Sequence, residues 1–167
     1  TGAPLYPGQE TTDLCPLTTF DGEALYRDGM APDEREIHYR REQWFSPYHS
    51  ALAAESARLR RNHGCVVLYD AHSIRSRIPR LFEGELPCFN IGTNGGTSCD
   101  VALRDTVASS IAAIDQSIVV DGRFRGGWTT RHYGQPATGV HAIQMELAQR
   151  TYMKEPTELT PQTWPPP

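Results

Sequence analysis

Val66-Val67-Leu68-Tyr69-Asp70-Ala71-His72-Ser73 is the stretch on which the reading of this chain turns. Val66 to Tyr69 is an apolar, partly β-branched run and reads as a buried strand. The strand is expected to end there and to deliver Asp70, His72 and Ser73 beyond it. Ligands bind at strand ends in α/β sheets. A His held two residues after an Asp suits a metal ligand of fixed ring orientation. A satisfied core histidine beside a turn is the alternative these residues leave open.

Working outward, Asp33 and Glu36 form a capping-box-like helix start after Pro32. Ile37, Trp44, Phe45, Tyr48, Leu52 and Leu59 then repeat at helical spacing. Pro47 should either kink this helix or begin a second one with Ser46 as its cap. Gly64 should end it, and Arg58, Arg60 and Arg61 suit the negative end of its dipole. Residues 1–32 are rich in Pro, Thr and Gly and read as an irregular surface segment. Downstream, a short extended piece is expected at Phe89-Ile91, a turn at Asn94-Gly95-Gly96, a helix over Asp100–Ile114 and a strand over Ser117–Val120. The stretch 121–139 carries five glycines and reads as a loop. Val140–Leu147 reads as another strand, and the proline-rich tail from Glu155 as extended. Helix, strand, helix, strand, strand predicts an α/β fold with a central sheet covered by helices.

The chain has 167 residues, enough for one domain with a real core. A net charge of −4 argues against a general nucleic-acid surface. No apolar run approaches the roughly 20 residues needed to cross a membrane. The basic residues are 15 Arg against the single Lys154, a bias that suits bidentate recognition of carboxylates. Cys15, Cys65, Cys88 and Cys99 have no C-x-x-C spacing and make no zinc-ribbon pattern. Cys65, at the mouth of the 66–69 strand, is expected to be a small core residue. A Cys–His hydrolase is the weaker enzymatic alternative.

Strand alternation places Val140, Ala142, Gln144 and Glu146 on one face and His141, Ile143, Met145 and Leu147 on the other. Glu146 and His141 should therefore not share a site. Glu146 lies in an otherwise apolar run, where a buried carboxylate is costly without a partner. It is either a functional acid or half of an ion pair with an Arg. His49 is expected to pack among Trp44, Phe45, Tyr48 and Leu52, His38 to sit on a helix surface, and His63 to favour the helix end.

His72-Ser73-Ile74-Arg75-Ser76, Pro79-Arg80-Leu81-Phe82-Glu83-Gly84, Phe89-Asn90-Ile91-Gly92-Thr93, Asp121-Gly122-Arg123-Phe124-Arg125-Gly126-Gly127, Thr130-Arg131-His132-Tyr133-Gly134 and Gln144-Met145-Glu146-Leu147-Ala148-Gln149-Arg150 follow one another in that order. The series resembles the N-formylglutamate amidohydrolases, enzymes of histidine breakdown, from Leu5-Tyr6-Pro7-Gly8-Gln9 to Tyr152-Met153. The resemblance implies a zinc-carboxypeptidase-like fold, a mixed central sheet with helices on both faces, forming one amidohydrolase domain over residues 1–167. It implies a Zn2+ or other divalent cofactor, a small-molecule substrate (N-formyl-L-glutamate or a related N-acyl amino acid), no nucleic-acid or membrane partner, and a cytoplasmic setting.

Amide hydrolysis at neutral pH needs an activated water and charge stabilisation on the carbonyl oxygen; an open zinc position supplies both, with a carboxylate to move the proton. On the resemblance, His72 is the metal ligand, Asp70 orients it from behind, and Glu146 is the general base. A dicarboxylate substrate calls for cations, for which Arg75 and Arg131 are the first candidates and Arg123 and Arg125 the next. His132, in the Gly-rich loop, would donate to the developing oxyanion, and Asn90 and Thr93 would line the pocket.

The chain departs from the family pattern in two respects. The family's other two zinc ligands and an Asp-Leu-Asn-Arg motif that reads the substrate carboxylate belong to an N-terminal segment that this sequence does not contain. A C-terminal helix of the family is absent too. The expectation is an N-terminally incomplete sheet with an exposed edge and a poor zinc binder, inactive as it stands. Two other readings stay open: a related zinc-dependent N-acyl amino acid deacylase or carboxypeptidase, and a non-catalytic remnant that binds acidic amino acids.

Overall fold

A computed structural model describes residues 14–156. They fall into two compact units, residues 14–64 with 78–83, and residues 65–77 with 84–156. The start of the expected N-terminal irregular segment and most of the proline-rich tail lie outside the described residues.

The first unit is a broken helical rod behind an irregular segment. Helix α1 (Glu34–Arg40) begins as expected, with the Asp33 side chain accepting the Glu36 N–H at 2.8 Å. A π-helical turn, Arg41–Phe45, then leads directly into α2 (Ser46–His63). Pro47 is the reason: in a regular helix its ring would crowd the carbonyl of Gln43, and a widened turn relieves that. Of the two expectations for Pro47, a distortion within a continuing helix is the one that forms, and Ser46 is not a cap. Its N–H bonds the Arg41 carbonyl, and Phe45 already has helical angles. Gly64 closes α2 in the left-handed conformation (φ +79°), with its N–H on the Arg60 carbonyl. Arg40, held by Glu36 one turn earlier on α1 (2.8 Å), ties the rod to the irregular segment through the Tyr26 hydroxyl (3.3 Å). His49 is half-buried against Phe45, ring centroids 4.2 Å apart, while Trp44 and Tyr48 remain exposed.

The second unit holds a mixed sheet of four strands among the described residues, in the order β1-β4-β2-β3. These are β1 (Val66–Ile74), β2 (Phe89–Gly92), β3 (Ile118–Val120) and β4 (Val140–Ala148). β1 runs parallel to β4, β2 parallel to β3, and β2 antiparallel to β4. β1 does not stop at Tyr69, as its apolar run suggested. All nine of its residues pair with β4, from Val66 opposite Val140 to Ile74 opposite Ala148. Asp70 and His72 thus stand on the strand and not beyond it. Cys65 precedes the strand and is exposed, not a core residue as expected; β1 is the outer strand of the described sheet.

The two faces of this sheet differ in chemistry. One carries Ile91, Ile143 and Met145, buried together with Cys99, and Phe89, Ile118 and Leu147 pack against them along with Leu103, Val107, Ala108 and Ile111 of α3 (Val101–Ala112). This is the core. The other face carries Asp70 and His72 of β1, Gln144 and Glu146 of β4 and Asn90 of β2, since paired residues project to the same side. The stretch expected to be a loop, 121–139, contains a short helix, α4 (Trp128–Tyr133), and a 3-10 turn, Pro136–Thr138. The turn before α4 seats on this polar face, with Gly92 under Gly126 and the Gly127 N–H on Gln144. α3 thus packs on the apolar face and the turn into α4 on the polar one, while Val67 and Tyr69 of β1 stay exposed. No described helix is long and apolar enough to cross a membrane.

Candidate active site

The polar face converges on one carboxyl group. Glu146 is 7% exposed in the inner strand β4. Burial pushes its carboxyl up to about 7; the charge of His72 pulls down against this, and that of Asp70 adds to the rise. Directly opposite in the parallel register stands His72, whose Nε2 meets Asp70 Oδ1 at 2.9 Å. That bond raises the His72 pKa above the ordinary histidine value, with burial working against it. The ring is half exposed. His141, on the opposite face, accepts the Asp100 N–H at Nδ1 (3.2 Å), well separated from this chemistry by the sheet itself.

Strand pairing builds this group. A residue two positions along a strand returns to the same face, so Asp70 and His72 stack beside Gln144 and Glu146 without any loop to place them. The Asp–His pair has the form in which a carboxylate fixes the tautomer of a catalytic or ligating imidazole. With Nε2 engaged by Asp70, Nδ1 is the nitrogen turned to other partners. The fit to a metal is partial: no group of three His, Cys, Asp or Glu among the described residues is placed to hold an ion.

The other sequence candidates fall in several places. Asn90 is 1% exposed, and its Nδ2 donates to the backbone carbonyls of Glu146 (3.0 Å) and Pro87 (2.8 Å). It clamps β2 to β4 beside the buried carboxyl. Thr93 is fully buried and bound to Asp121 through its N–H (2.7 Å) and hydroxyl (2.5 Å), which fixes the turn after β2. Arg131 lies on α4 with Nε on the Gly127 carbonyl at 3.2 Å. His132, on the same helix, is exposed and stacked on Trp128, centroids 4.1 Å apart. Arg123 lies over the Phe124 ring, and Arg75 follows β1, half-buried. Sequence reasoning assigned no role to Gln144. It is buried, it accepts the Gly127 N–H at 2.6 Å, and its Nε2 approaches Glu146 Oε2 at 3.4 Å. A polar amide two residues before a buried carboxylate, on its face, was the available signal.

A carboxyl poised near neutrality beside a carboxylate-oriented imidazole is the equipment of a hydrolytic centre. The chain belongs to the N-formylglutamate amidohydrolase family, whose sequence profile matches residues 1–153. It is similar to the N-formylglutamate deformylase of Pseudomonas aeruginosa, 54% identical over 154 residues that make up 91% of this chain and 57% of that protein. It is also similar to that of Pseudomonas putida, 51% identical over 158 residues, 94% of this chain and 59% of that one. The chain thus spans under two thirds of the length of these relatives. The crystal structure of N-formylglutamate amidohydrolase from Ralstonia eutropha JMP134 shares the fold, with a TM-score of 0.68 at 22% identity over 75% of this chain and 46% of that one.

Proposed function

We propose that this chain carries the general-base part of an enzyme that hydrolyses N-formyl-L-glutamate to formate and L-glutamate. The observation that carries the reading is Glu146, a carboxyl buried on the sheet's polar face, held near neutrality and facing the Asp70-bound imidazole of His72. A base with a proton affinity near the operating pH both takes a proton from water and returns it to a departing nitrogen. Glu146 performs both transfers, and His72, oriented by Asp70, holds the reacting oxygen in reach. Arg131 on α4 and Arg75 after β1 supply the cations for the substrate's two carboxylates, with Arg123 in support. His132 donates to the developing oxyanion once it leaves Trp128.

The zinc-carboxypeptidase likeness belongs to this proposal, and so does zinc itself. Zinc, when bound, would acidify the attacking water. Residues 14–156 offer it His72 but no group of three ligands, whereas a catalytic zinc takes three protein ligands. The remaining ligands would come from outside the described residues.

The test is formate release from N-formyl-L-glutamate with added zinc. It compares this chain with a version extended at its N-terminus by the corresponding segment of the Pseudomonas aeruginosa relative. Release by the extended version, lost on Glu146→Gln and His72→Ala, supports the reading. Release that survives Glu146→Gln overturns the assignment of the base. Hydrolysis of N-acetyl amino acids in preference to N-formyl-L-glutamate would favour a broader N-acyl amino acid deacylase.

A further inference from the structure

We propose that Gln144 is a positioning residue for Glu146, holding its carboxylate in one orientation and tying it to the turn that opens α4. The inference rests on the reading of Glu146 as general base. The Gly127 N–H points at the Gln144 side chain at 2.6 Å. Only the amide oxygen can accept it, so the amide cannot flip without setting donor against donor. That leaves Nε2 turned toward Glu146, 3.4 Å from Oε2. The two side chains are 6% and 7% exposed, so water competes little for either. They sit two residues apart on one strand face, the spacing at which side chains of a strand meet.

The far end of the lock is rigid. A Cβ on Gly92 would lie 2.5 Å from the Gly126 nitrogen and 2.7 Å from the Arg125 carbonyl carbon, so β2 and the turn are in backbone contact. The Asn94 N–H fastens the same turn through the Arg125 carbonyl at 2.6 Å. Gly127 also receives Arg131 Nε on its carbonyl. One glycine thus carries on its two sides the amide that orients the base and a guanidinium offered to the substrate. Gln144 transmits the placement of that turn to the carboxylate.

Two substitutions separate the parts of the lock. Gln144→Met keeps the shape and loses both hydrogen bonds; Gln144→Glu keeps an acceptor for Gly127 but replaces the Nε2 donor with a second carboxyl set against Glu146. Amide exchange of Gly127 in this chain, read by NMR against Ile143 in β4, should speed at least tenfold in Gln144→Met and hold in Gln144→Glu. In the form of the protein that turns over, kcat for formate release should fall at least tenfold in both variants with KM within about twofold. Unchanged Gly127 exchange in Gln144→Met, or unchanged kcat in either variant, overturns the proposal. Should Gln144→Met not fold, Gln144→Glu alone decides through kcat. If the unsubstituted protein releases no formate, the deformylase reading fails separately. The lock is then judged by the Gln144 side-chain amide signal, which must shift on Glu146→Gln; an unmoved signal overturns it.

Discussion

Asn90→Asp should unfold this chain far more readily than its near-identical size suggests. Asn90 is 1% exposed, and its Nδ2 makes two hydrogen bonds, to the carbonyls of Pro87 (2.8 Å) and Glu146 (3.0 Å). The substitution replaces that NH2 group with an oxygen facing two carbonyl oxygens. Each lost bond costs about 1 kcal/mol net, and a buried acceptor left without a donor costs about 1–3 kcal/mol more. With relaxation of the strand pair the total is about 3–5 kcal/mol at neutral pH, a large part of a marginal stability. The new carboxyl also sits where burial and two carbonyls raise its pKa in the fold. The penalty is therefore smallest below the unfolded carboxylate pKa, where a protonated oxygen can donate one bond, and grows as pH rises through the folded value. Urea unfolding at pH 4.5 and pH 8 measures both terms. A loss under about 1 kcal/mol at pH 8, or a loss independent of pH, would refute the clamp.

Other outcomes follow from the same structure. Glu146, raised from 4.5 to about 7, is protonated in both states below the unfolded pKa and resists ionisation in the fold, so its contribution is full at low pH and lost as pH rises through about 7. The difference is about 3 kcal/mol; in chelator-treated protein Glu146→Gln should flatten the dependence of stability on pH over that window, and an unaltered profile would place the group in water. Gly92→Ala should cost about 3 kcal/mol, because the added methyl meets backbone of Arg125 and Gly126; a melting temperature equal to the parent's would contradict that packing. Glu155 accepts the Ser76 N–H (2.8 Å), the Ser76 hydroxyl (2.9 Å) and the Arg150 N–H (3.0 Å) through one oxygen, so Glu155→Ala should cost about 1–3 kcal/mol and speed exchange of the Ser76 and Arg150 amides, while unchanged exchange would show that this clasp does not form.

The architecture of the site was legible where period and burial agree. Alternation in Val140–Ala148 placed Glu146 and His141 on opposite faces, because side chains alternate along a strand and this one stays regular through all nine of its pairings with β1. The same logic failed at β1. Asp70-Ala71-His72-Ser73 is polar, and only pairing with β4, a contact between residues some 74 apart, keeps it extended. The difference matters to the chemistry: His72 is placed by strand register against Glu146, not by a flexible loop. Trp128–Tyr133 gave no sign of a helix, since six residues between glycines carry too little period. Gln144 is not legible in the sequence, because an amide in a strand has no signature apart from the N–H that fixes it, seventeen residues upstream. Cys65 is exposed for a separate reason: the apolar run it precedes is the outer strand of the described sheet, a position the run itself does not reveal.

The most direct test of the account is the formate-release rate of the extended protein with and without Glu146→Gln, at saturating N-formyl-L-glutamate and with zinc supplied. The rate should fall at least a hundredfold, about 2.7 kcal/mol of barrier, with the fold intact by circular dichroism. Release within threefold of the parent would contradict it, because the buried carboxyl facing His72 would then have no part in the chemistry.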